Sequence, residues 1–95
     1  MGKKTKIVKN YRVIIELEVD SETRKKVYTV FCPTLGVADW GATVEEALVN
    51  IKEGVECYIE SLIKHNEPIP EEDLEKQIIT TTQVEFYAPK GLSFA

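Results

Sequence analysis

The hydrophobic period changes once along this chain, and that change constrains the fold more than any other feature. Val44, Ala47, Leu48, Ile51, Val55, Tyr58, Ile59 and Leu62 recur at spacings of three and four, the signature of a helix with one apolar face. Before them, Tyr11, Val13, Ile15, Leu17 and Val19 alternate at period two, with Arg12, Glu16 and Glu18 on the other side and Ile14 as the exception. That is a half-buried strand, read here over residues 7–19. One helix with one broad stripe needs a sheet of comparable breadth to cover it.

The helix has clear ends. Thr43 is placed to cap the first turn, with Glu46 three residues on as in a capping box. Glu45 and Glu46 suit the positive end of the helix dipole, and Lys64 and His65 the negative end. Asn66 suits the left-handed exit and Pro68 forbids continuation. The helix is therefore expected over residues 44–65, about 33 Å long.

Three more runs read as strands. Residues 26–32 contain Val27, Tyr28, Thr29, Val30 and Phe31, all strand formers, and the short polar link Asp20 to Lys25 makes a hairpin with residues 7–19 the default. Pro33 stops the second strand, because it has no ladder N–H to donate. Gly36 and Gly41 bracket Val37-Ala38-Asp39-Trp40, a short third strand. Residues 67–77 form a Pro-rich acidic connector with one helical turn expected after Pro70, and residues 78–88 are β-branched and free of Gly and Pro, so a fourth strand is expected there. The order is β-β-β-α-β, an α+β chain with an antiparallel sheet and one long helix on one face. The domain is expected over 11–88, with a basic, flexible segment at 1–10 and a tail at 89–95. Ile14, Tyr28, Val30, Phe86 or their neighbours would be left on the far face or the edges, which predicts a homo-oligomer, a dimer or larger.

Ninety-five residues hold one domain. The formal charge of −4 argues against general nucleic-acid affinity, although residues 1–30 carry eight bases and four acids while residues 31–95 carry four bases and twelve acids. Lys3, Lys4, Lys6 and Lys9 read as a solubilising tail rather than a phosphate-binding arm. No apolar stretch approaches the ~18 residues of a membrane span and no signal peptide is visible, so a cytoplasmic location is expected, with no membrane partner. Cys32 and Cys57 are expected to be reduced and mostly buried. With His65 the single histidine and no CxxC, no metal site and no cofactor is implied.

From Val30 to Glu71 the motifs resemble those of the HicB-like antitoxins of the HicA–HicB toxin–antitoxin systems. The residues that carry the resemblance are the turn Pro33-Thr34-Leu35-Gly36, the helix start Gly41-Ala42-Thr43-Val44-Glu45-Glu46-Ala47, and Pro68-Ile69-Pro70 after the helix. With the hairpin and last strand it covers roughly residues 11–88. The family's turn commonly has one more residue, an acidic one and a second proline, and its "Gly-Asp-Thr" is Gly41-Ala42-Thr43 here. The resemblance implies a reduced ribonuclease H-like fold. It gives Pro33, Gly36, Gly41, Thr43, Glu46, Ala47 and Pro70 structural roles and implies a HicA-like toxin as partner, a small basic RNA-cleaving protein neutralised by occlusion. Many HicB antitoxins add a C-terminal DNA-binding module. The residues after Pro70 read as strand and fit neither usual module, so direct DNA binding is not expected.

Two sets of residues are candidates for function. Glu46, Glu53, Glu56 and Glu60 make an acidic stripe along the helix that could attract a basic partner, and Trp40, the single tryptophan, could anchor an interface or simply pack on the helix. Their plain readings are a solvated face and a core residue. Ribonuclease H enzymes hold two metals with clustered carboxylates, for which Glu16, Glu18 and Asp39 are the one set worth testing. Alternating acids on a solvent face are ordinary, and no catalytic residue is assigned. Three functions compete: an antitoxin, a stand-alone oligomeric binding or regulatory module without a toxin, and, last, a metal-dependent nuclease.

Overall fold

A computed structural model describes residues 4–72 and 78–95. Among them three strands precede one helix: β1 (Ile14–Val19), β2 (Lys26–Cys32), β3 (Val37–Gly41) and α1 (Val44–Lys64). The sheet is antiparallel in the order β1-β2-β3, which confirms the α+β class and the order β-β-β-α.

The β1–β2 link is built by its own polar groups. Asp20 Oδ1 accepts from the amides of Glu22 at 2.8 Å and Thr23 at 3.1 Å. Arg24 takes the left-handed conformation, φ 60°, and its amide donates to Asp20 O at 2.8 Å. At the β2–β3 turn the Gly36 amide donates to Cys32 O at 2.8 Å with φ 68°, a backbone angle that explains a glycine there.

Register assigns the faces. Ile15, Val30 and Asp39 lie opposite one another across the three strands, and so do Glu16, Thr29 and Trp40. Val30 is fully buried, so its row faces α1 and the Glu16 row faces away. The core is Val30, Cys32, Leu35, Ala47, Ile51 and Val55, with Tyr11, Val13, Ile15, Tyr28, Val37 and Ile59 packed around it. Burying the Val, Leu and Ile side chains among these contributes about 1.5–3 kcal/mol each.

Thr43 Oγ1 accepts from the Glu46 amide at 3.0 Å, capping α1 as expected. The exit is a complete Schellman motif: Glu67 N donates to Leu62 O at 2.8 Å, Asn66 N to Ile63 O at 3.1 Å, and Asn66 is left-handed with φ 54°. His65 caps the end, its ring Nδ1–H donating to Ser61 O at 2.8 Å. Gly41 lets the helix begin against the sheet. A Cβ there would stand 2.4 Å from Ala47 N.

Four expectations need correction. Residues 7–13 lie outside β1 and in no regular element. The ladder stops at Ile14↔Phe31 because Pro33 ends β2; Glu72 Oε2 instead accepts from the Arg12 amide at 3.2 Å and from Thr34 Oγ1 at 2.6 Å. Residues 78–88 are exposed and form no strand. Val30 is core and Tyr28 half-buried on the helix side, so of the residues expected on the far face only Ile14 is there, beside Phe31. Cys57 is exposed while Cys32 is buried, and both are free. Part of the connector, with the helical turn expected after Pro70, lies at 73–77, outside the described residues, as does Lys3.

Candidate protein-binding faces

The candidate residues divide between two surfaces. Glu46, Glu53, Glu56 and Glu60 are all exposed along α1, on the side away from the buried Ala47, Ile51, Val55 and Leu62. Lys52 Nζ reaches Glu56 at 3.1 Å, an exposed i,i+4 pair that softens the stripe. Such a pair adds only tenths of a kcal/mol, so the stripe remains a net negative face.

Trp40 is on the other layer. It is 57% exposed on the outer face of β3, in the row with Thr29 and Glu16. Its carbonyl accepts from Asn50 Nδ2 at 2.8 Å, so α1 holds its backbone while the ring stands on the opposite side of the sheet. The next row is Ile14, Phe31 and Ala38. The outer face thus carries Ile14, Phe31 and Trp40, three large exposed apolar side chains, together. Trp40 and the acidic stripe cannot touch one flat partner at once. Sequence reasoning missed this, yet the signal was there: if Gly41 must lie under the helix, alternation sends Trp40 outward.

The same alternation separates the carboxylates. Asp39 is on the helix side and Glu16 and Glu18 on the outer face, so the three do not converge. Asp39 Oδ1 instead accepts from the Trp40 amide at 2.8 Å. Among the described residues no group of three or more His, Cys, Asp or Glu side chains is disposed to hold a metal ion.

A third surface was not foreseen. Between segment 5–13 and α1 runs an open apolar groove, walled on one side by that segment, including Ile7, Val8, Tyr11 and Val13, and on the other by Leu48, Ile51, Val55, Ile59 and Ile63. It exists because α1 lies over β3 and β2, so the flank of the sheet beyond β1 is uncovered. Residues 70–72 fix the near wall. The Tyr11 hydroxyl donates to Pro70 O at 2.7 Å and Lys9 Nζ approaches Glu71 at 3.4 Å. Burial pushes the Tyr11 phenol above its ordinary value, partly offset by the Lys9 charge.

No helix among the described residues is long and apolar enough to cross a membrane. The family model of the HicB-like antitoxin of bacterial toxin–antitoxin systems matches residues 11–88. A UPF0150 protein of Synechocystis sp. is 47% identical over 70 residues, covering 73% of this chain and 82% of the relative. A UPF0150 protein of Thermoplasma acidophilum is 46% identical over 67 residues, covering 70% of this chain and 90% of the relative. No solved structure matches, so the ribonuclease H-like comparison gains no support.

Proposed function

The chain belongs to the HicB-like antitoxin family, and we propose that it acts as a protein-binding antitoxin that neutralises a small basic RNA-cleaving toxin of the HicA type by occlusion. It works as a non-enzymatic cytoplasmic partner. The family match carries this reading, and the exposed acidic row supports it. Glu46, Glu53, Glu56 and Glu60 project from a helix that is capped at both ends and seated on the core. Their spacing is therefore fixed before a partner arrives, which favours fast, charge-steered association with a basic surface. The toxin's RNA-binding surface is itself basic, so a negative face that covers it excludes the phosphate backbone. Trp40 lies on the opposite layer and is not part of that contact.

The test is a pull-down with the short basic protein encoded beside this gene, followed by an RNA-cleavage assay. Complex formation with loss of cleavage supports the reading. Glu53→Lys with Glu60→Lys should slow association at least about tenfold at low salt, with the difference shrinking as salt screens it. Absence of a complex at micromolar concentrations rejects the antitoxin reading for that pair and favours a stand-alone binding module.

A further inference from the structure

The groove beside α1 and the segment 78–88 are complementary halves of one interaction. The segment is exposed and in no helix or strand: Ile78 is 88%, Ile79 77%, Val84 70% and Phe86 59% accessible. In water, a strand-forming run with this much apolar surface is covered by something. The chain as a whole is elongated. Its radius of gyration is 19.2 Å and its long axis 73 Å, where a compact chain of this length has a radius near ~12 Å.

We propose that residues 78–88 of one copy lie in the groove of a second copy, pairing with the segment 5–13 and packing on α1, reciprocally, so that each copy supplies the other's fourth strand. The dimensions agree. The segment spans about 36 Å at ~3.3 Å per residue, and the near wall of the groove about 30 Å. The chemistry agrees as well. Alternation puts Ile78, Val84 and Phe86 on one side with Thr80 and Thr82, a face suited to Ile59 and Ile63 on the far wall. The segment's one charge is acidic, Glu85, whereas the wall it would pair with carries Lys6 and Lys9. A second copy is the occupant because it brings both halves, and one exchange satisfies both chains.

The experiment is sedimentation of the full chain at tens of micromolar, with hydrogen exchange of the amides. The wild type should be a dimer or larger, with amides 78–88 protected only when it is associated. Val84→Pro removes a ladder donor in a segment outside the core, and Ile63→Lys places a charge in the groove at an exposed helix position. Each should weaken association about tenfold or more with helical circular dichroism unchanged. A wild-type monomer overturns the proposal, whether its amides 78–88 are protected, as by folding back on its own chain, or not. So does a dimer indifferent to both substitutions.

Discussion

Adding one methyl group at Gly41 tests how α1 is seated. A Cβ at Gly41 would lie 2.4 Å from Ala47 N, and 2.9 Å from Ala47 Cα and Glu46 C. Ordinary contact begins near 3.4 Å, so helix and strand must separate by about 1 Å. Everything the methyl meets is backbone, and no side chain can swing aside. The separation would loosen Ala47, Ile51 and Val55 from Val30 and Cys32, the centre of the core. Overpacking of this kind costs about 1–3 kcal/mol, and rigid atoms on both sides place Gly41→Ala near ~3 kcal/mol. At roughly 4–8 °C per kcal/mol for a domain of this size, Tm falls by about 12–24 °C. Gly54→Ala is the control. It adds the same methyl to the middle of the same helix, where the nearest atoms are Val37 Cγ1 at 3.4 Å and Asp39 Oδ2 at 3.8 Å. There the gain from removing a mid-helix glycine, about 0.5–1 kcal/mol, should dominate. Thermal unfolding followed at 222 nm reads both. If Gly41→Ala melts within about 4 °C of wild type, or Gly54→Ala is equally damaging, close approach at Gly41 does not govern helix seating.

Other consequences are as direct. Thr43→Ala removes the side-chain acceptor of the Glu46 amide and should cost about 1 kcal/mol in urea unfolding, with Thr43→Ser close to wild type. The Asp20 carboxylate is held below its ordinary value, first by the Thr23 amide and then by that of Glu22. Its folded pKa is depressed, so its stabilising effect on the hairpin is present above the usual carboxylate range and lost as pH falls through the lowered value. The Glu22 and Thr23 amide shifts should therefore titrate together with a midpoint below the ordinary ~3.9, and a midpoint at or above it would contradict the hydrogen bonds. Cys57 should react with a thiol reagent in the native protein, whereas buried Cys32 should react only on unfolding; equal rates would contradict the assigned faces.

What could be read from the sequence was what short stretches decide by themselves. Thr43, Asn66 and Pro68 mark the ends of α1 through contacts within a turn or two, and Pro33 ends β2 by lacking an N–H. Residues 78–88 show the other side. Their β-branched composition states a preference for extended backbone, but a strand also needs a neighbour, and composition does not name one. The two faces of β3 fall between these cases. Trp40 reads as a packing residue because of its size, yet its position beside Gly41 decides the matter, and the helix-side place goes to Asp39. The acidic stripe was legible because helical periodicity alone fixes it, while the groove was not, because it depends on where α1 sits across the sheet.

The contacts that fasten residues 9–12 to residues 70–72 join positions 59 to 62 apart in the chain, far beyond the reach of any hairpin or helical turn. Closing so long a loop carries a large entropic cost before its few polar contacts form. The hairpin and α1, built from neighbours, come together first, and this fastening closes last. It is also the part that lets go first. Because it ties the near wall of the groove, its opening frees residues 5–10 while Tyr11 and Val13 stay packed on the core around Val30. The order of folding thus leaves the domain with one wall that can be released without unfolding the rest.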